Sequence, residues 1–192
     1  MAFVLFIFVN AILILRPAEL LQALANAPLY EMAILGCLVT ALPAMLKRFT
    51  PESIAADPIT LCVLGLLAAV VLSHASQGGI GLYEARQNGV TFLKLVLYYV
   101  ALVAVIDSPQ RLQRFLTALA VLVLAMAALA LMHYHGAINV EALKPFSQRL
   151  DDQIDVATGR WAEIKRLCGP GIFNDPNDLC MILVFGGLIS LY

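Results

Sequence analysis

Between Arg160 and Asp178 the chain reads RWAEIKRLCGPGIFNDPND, and two kinds of chemistry are packed into that stretch. Arg160, Lys165 and Arg166 are cations close together in sequence, and arginine in particular offers a planar fork that matches phosphate oxygens. Asn174, Asp175, Pro176, Asn177 and Asp178 form a polar knot directly before an apolar run. The knot reads as a helix entrance, with Asp175 as N-cap, Pro176 at the first helical position and Asp178 three residues after the cap as an acidic variant of the capping box. Lipid cannot solvate the free N–H groups of a helix that starts in a membrane, so carboxylates and amide carbonyls there replace water. Two carboxylates already occupy the positive end of that helix, so a phosphate is expected to meet the cations upstream instead. His133 and His135, in HYH, can act as acid or base near neutral pH, but they sit where interfacial anchors are common.

The elements that must position these residues are membrane helices. Hydrophobic residues make up 61% of the chain and charged residues 13%, far from the roughly half and quarter of a soluble domain. The mean hydropathy is +0.88. Apolar residues fall in blocks near the length a helix needs to cross about 30 Å of hydrocarbon. Strand-like alternation is absent, which argues against a barrel. The expected fold is all-α, a polytopic transmembrane helical bundle of about six spans. Those spans run Ala2–Leu15, Leu29–Leu46, Ile59–Ser73, Val90–Ile106, Phe115–Met132 and Leu179–Tyr192. HASQGGIGLYEARQNG, rich in glycine and polar residues, is expected to be a loop. The last run stops without a basic flank, and the expectation is an N-terminal part of a single transmembrane domain, truncated from a longer multi-span protein.

Lys47, Arg48, Arg111 and Arg114 follow spans two and four, which favours those links as cytoplasmic and residues 133–171 as outside, while Lys144, Arg149, Arg160, Lys165 and Arg166 in that loop count against it unless they serve a binding site. Within that extracytoplasmic loop Trp161, Ile164 and Cys168 fall at helical i, i+3, i+7 spacing. That spacing predicts an amphipathic segment lying in the membrane interface. Cys37, Cys62, Cys168 and Cys180 show neither CxxC nor zinc-ligand spacing and read as structural. A net charge of −1 without a basic tail excludes nucleic acid as a partner. Membrane lipids are the immediate surroundings. No nucleophile elbow, Walker loop, metal cluster or glycosidase-type carboxylate pair occurs, so no metal and no cofactor is expected and no catalytic residue is assigned.

RLCGPGIFNDPNDLC resembles the Arg-x-x-Gly-x-Gly-x-Phe-x-(Asn/Asp)-Pro-Asn pattern of the O-antigen ligase and O-antigen polymerase-like family of bacterial membrane glycosyltransferases. LRPAEL near the start and FLKLVLYY in span four are softer similarities. The resemblance implies a multi-pass enzyme of the bacterial inner membrane whose loop 133–171 is periplasmic. Its donor would be an undecaprenyl-diphosphate-linked glycan, passed to lipid A core or to another glycan without a nucleotide sugar or an obligatory metal. Arg166 matches the motif arginine and would hold the donor diphosphate, with Arg160 and Lys165 beside it. Asn174, Asp175, Pro176 and Asn177 match the polar helix entrance that shapes the site. The family's larger outer loop and functional histidine lie beyond this chain, and Cys180 stands where a small residue such as alanine is usual. A chain of this extent is therefore expected to bind part of a donor and not to turn over.

Two other classes compete with that reading. Half of a polytopic transporter would show broken helices or ionisable groups at mid-membrane depth. Here those groups sit at span ends, with Lys94 nearest to an exception. A non-catalytic membrane scaffold is told apart by sequence beyond Tyr192, where a large outer loop with Arg and His would favour the enzyme.

Overall fold

A computed structural model describes all residues of the chain other than 26, 77–78, 141–142, 144–145, 155–160 and 192. The described residues are mostly helical. In chain order they form α1 (Ala2–Leu15), α2 (Pro17–Leu20), a 3-10 turn (Gln22–Leu24), α3 (Leu29–Arg48), α4 (Pro51–Ala56), α5 (Pro58–Ala75), α6 (Gly79–Val105) and α7 (Pro109–Tyr134). A two-stranded antiparallel hairpin follows, β1 (Phe146–Ile154) and β2 (Trp161–Arg166), then a 3-10 turn (Gly171–Phe173) and α8 (Pro176–Ser190). Helices α2, α4, α5, α7 and α8 each begin on a proline, whose fixed φ suits a first turn and whose missing N–H would have no helical partner there.

Among the described residues, four helices are long and apolar enough to cross a membrane: α3, α5, the Arg86–Val105 part of α6, and α7. Their most apolar windows are only 6% to 28% buried, so most of their apolar surface faces outward, as suits a membrane-embedded chain. Helices α1 and α8 are apolar but shorter, at 14 and 15 residues. At 1.5 Å per residue each is about 21–23 Å long, less than a hydrocarbon core of about 30 Å.

Two local expectations are corrected. The glycine-rich stretch after α5 is helical from Gly79 onward rather than a loop. Gly89 explains part of this, because a Cβ there would stand 3.1 Å from Val71 Cγ2, so the glycine lets α6 lie close against α5. Residues 161–166 form a strand, not an amphipathic helix, and pair with Phe146–Arg149 and Ile154. Three apolar residues at helical spacing cannot outweigh a cross-strand partner that only the folded chain supplies. The described residues remain mostly helical, consistent with the all-α expectation, with this hairpin beside the helices.

The chain divides into two compact units. One comprises Met1–Phe6 and Ile34–Pro109. In it the rings of Phe6 and Tyr98 meet at 5.1 Å, and the buried Thr60 hydroxyl lies 2.9 Å from the Tyr99 hydroxyl, tying α5 to α6. Asp57 caps α5, accepting from the N–H groups of Ile59 and Thr60 and from the Thr60 hydroxyl at 2.8 Å. The other unit comprises Ile7–Ala33 and Gln110–Tyr192. Its core is Ile14, Met126, Phe173 and Leu179, with Leu122, Leu167 and Ile182 packed against it. Gly186 admits the side chain of Val123 so closely that a Cβ would lie 2.7 Å from Val123 Cγ1, which brings α7 and α8 together through a small residue.

Candidate functional site

The polar knot does what its spacing predicts at one residue. Asp175 is in extended conformation as N-cap of α8, its Oδ1 accepts from the Asn177 N–H at 2.7 Å, and Pro176 opens the helix. Asp178 lies in the first turn, where its charge favours the helix dipole. The reciprocal capping-box bond from Asp178 is not among the hydrogen bonds of the described residues. Asn174, Asp175, Asn177 and Asp178 are all exposed.

The Gly-Pro-Gly segment before this entrance folds back on itself. The Gly169 N–H donates to the Phe173 carbonyl at 2.7 Å, the Phe173 N–H to Pro170, and the Asn174 N–H to Gly171. Phe173, driven into the core between Met126 and Leu179, anchors the turn. Gly169 must be glycine because a Cβ would stand 2.9 Å from Phe173 Cβ. Gly171 is left-handed, with φ +58°, a conformation glycine adopts without a Cβ penalty.

The space a Gly171 Cβ would fill is occupied by the side chain of Arg16. Arg16 itself has φ +44°, uniquely positive among the described non-glycine residues. Such backbone costs of order 1–3 kcal/mol and persists where surroundings over-determine it. Here the surroundings are visible. The Arg16 N–H closes the last turn of α1 onto Ile12, its carbonyl accepts from Glu19 and Leu20 to start α2, and its guanidinium pairs with Glu19 at 2.5 Å. The sequence alone assigned Arg16 no role of its own. The signal that could have found it was LRPAEL.

The cations upstream are arranged differently from a single clamp. Arg166 ends β2 opposite Phe146, and Lys165 lies opposite Ser147. Adjacent residues of a strand point to opposite faces, so one small anion cannot meet both side chains from one face of the hairpin. Arg166 is exposed and directly precedes the turn, while its carbonyl receives the Cys168 thiol at 3.7 Å. Lys165 is exposed too, and its carbonyl is met by the Tyr134 hydroxyl at 3.5 Å, tying the hairpin to the end of α7. Arg160 lies outside the described residues.

His133 is engaged in structure. Its Nδ1 accepts the Val140 N–H at 3.1 Å, so the neutral ring carries its proton on Nε2 and has no free nitrogen lone pair for base chemistry. His135 makes an edge-on contact with the Tyr134 ring at 5.4 Å.

Two hollows adjoin these elements. One, of about 480 Å³, is lined by Ile172, Phe173, Asp178, Met181, Ile182 and Phe185 on the entrance to α8. The other, of about 380 Å³, lies beside Arg16 and includes Glu19, Tyr30 and Glu31. No group of three or more His, Cys, Asp or Glu side chains that could hold a metal ion occurs among the described residues. No protein-family profile, curated protein or solved structure matches the chain.

Proposed function

We propose that this chain is the donor-binding side of a membrane glycosyltransferase resembling the O-antigen ligase and polymerase group. The donor is a glycan on an undecaprenyl-diphosphate carrier, and the acceptor is lipid A core or another glycan. The observation that carries the reading is the meeting of Arg16 with Gly171. LRPAEL and CGPGIFNDPND, two of the segments on which the resemblance rests, lie at opposite ends of the sequence, yet one side chain packs against the other's turn.

The contact also supports the membrane arrangement. Between Arg16 and Gly171 the chain passes through α3, α5, α6 and α7. An even number of crossings returns it to the face it left, as the contact requires. With Lys47, Arg48, Arg111 and Arg114 inside, that shared face is the periplasmic one of a bacterial inner membrane. In this reading α1 and α8 are two further, shorter crossings, which a bilayer accommodates by local thinning.

On that face Arg166 takes the diphosphate. Its exposed guanidinium offers two parallel N–H donors to phosphate oxygens and stabilises the charge that grows on the leaving diphosphate as an acceptor hydroxyl attacks the anomeric carbon. Asp175 takes up the Asn177 N–H at the α8 entrance, so that donor does not compete for the anion. Lys165, on the opposite face of β2, steers by charge alone.

The test is binding of undecaprenyl diphosphate, with undecaprenol as control, to the chain in nanodiscs of uncharged lipid. Diphosphate binding should exceed undecaprenol binding, and Arg166→Ala should weaken it about tenfold or more, the effect of losing a charge-assisted hydrogen bond of roughly 1.5–3 kcal/mol. Equal binding of the two lipids, or an unchanged affinity in Arg166→Ala, would overturn the assignment and favour a transporter half or a scaffold.

A further inference from the structure

The hollow beside Arg16 has a lining that the diphosphate reading does not use. It is bounded by Arg16 and Glu19 at the junction of α1 and α2, by Tyr30 and Glu31 in the first turn of α3, and by the aliphatic side chains of Ile12 and Leu29. All of these residues belong to one compact unit. At about 380 Å³ the hollow is at the small end of the range of about 300–1,000 Å³ usual for small-molecule sites, room for one ring rather than an extended chain.

Its chemistry is selective. One guanidinium against two carboxylates leaves the lining negative, and the guanidinium is already paired with Glu19. A phosphate or another carboxylate would be repelled. What the lining offers a ligand is acceptor capacity: the second oxygen of Glu19, and both oxygens of the exposed Glu31, which has no hydrogen bond or ion pair among the described residues. Carboxylates only accept, and they accept best from hydroxyl or ammonium donors. The Tyr30 phenol adds a group that both donates and accepts. Hydroxyls around the rim of a ring, with an apolar C–H face against Ile12 and Leu29, satisfy such a lining on both counts.

We propose that this hollow holds one sugar ring, neutral or amino-bearing, of the glycan being transferred. The identity of that sugar as part of the glycan rests on the transferase reading above; the recognition of a sugar ring does not. Arg16 links the two, because the same side chain borders the hollow and covers Gly171 in the turn that follows Arg166.

The test is saturation-transfer NMR on the chain in nanodiscs of uncharged lipid, with methyl β-glucoside, glucosamine, glucuronate and inorganic pyrophosphate as separate probes. Glucosamine and methyl glucoside should receive saturation, glucosamine the more strongly, and glucuronate little. Glu31→Gln, isosteric at an exposed position, should weaken glucosamine binding about tenfold, and Tyr30→Phe should weaken both sugars by less. The proposal is overturned if glucuronate matches glucosamine, or if both variants leave the sugar signals unchanged. Pyrophosphate separates the two readings: its binding should fall in Arg166→Ala and not in Glu31→Gln. Sugar binding without pyrophosphate binding would remove the diphosphate site and leave the hollow standing; the converse would remove the hollow alone.

Discussion

Replacing Gly171 with alanine tests the joint between Arg16 and the Gly-Pro-Gly turn at its tightest point. Two penalties add there. The left-handed backbone, φ +58°, costs about 1–2 kcal/mol for a residue with a Cβ. The new methyl would also stand where the Arg16 side chain now lies, so the guanidinium must move. That disrupts its pair with Glu19, which is about one-third exposed on both sides and therefore worth only about 0.2–1 kcal/mol. Together these give a loss of about 1–3 kcal/mol, read as a lower thermal midpoint of the chain in detergent. Gly136 supplies the control, with φ +76° but nothing within 4 Å of an added Cβ, so Gly136→Ala carries the backbone penalty alone. Gly36, helical and with nothing within 4 Å, should tolerate alanine with a small gain of about 0.5–1 kcal/mol. Truncating Arg16 removes the same pair, so the losses in Arg16→Ala and Gly171→Ala should not add: the double variant should fall short of their sum by about 0.2–1 kcal/mol. If Gly171→Ala costs no more than Gly136→Ala, or if the two losses simply add, the packing of these two left-handed residues against each other is not what shapes the turn.

Asp175→Ala should cost about 1 kcal/mol through loss of the N-cap, whereas Asp175→Asn keeps an acceptor and should cost only a few tenths; equal melting temperatures for the two variants would refute the cap. Asp57 is held below the usual carboxylate range, chiefly by the Thr60 hydroxyl bond and then, against a desolvation cost, by the Thr60 and Ile59 N–H groups and the charge of Arg48. A depressed folded value means its contribution is fully present above the ordinary carboxylate pKa of about 4 and is lost as pH falls through the lower folded one. Acid titration of the chain in nanodiscs, followed by tyrosine near-UV dichroism, should therefore show a loss below about pH 4 that Asp57→Asn flattens.

Much of the architecture was legible because membrane helices are specified locally. Block length and hydropathy found α3 and α5 within about two residues of their observed bounds, and α7 apart from its first turns, which begin at Pro109 rather than Phe115, since every backbone group in such a helix is satisfied within its own segment. The Asp175–Pro176 start was legible for the same reason: a cap depends on residues within one turn. Trp161–Arg166 was misread because a strand's hydrogen bonds belong to another segment, and Phe146–Ile154 carries no strong period of its own. The hairpin then decided that Lys165 and Arg166 face apart, which no reading of their adjacency could supply.

The sequence by itself determined a membrane-embedded helical chain, the capped start of α8, and which cations stand before it. These follow from composition and from interactions spanning no more than a turn. Only the tertiary structure decided that Arg16, an unremarked basic residue at the end of the first helix, closes over Gly171. It also decided that Glu19, Tyr30 and Glu31 share a hollow with Arg16. Both depend on a left-handed arginine and a left-handed glycine, distant in the chain, occupying each other's space, and local preferences carry no information about such a meeting.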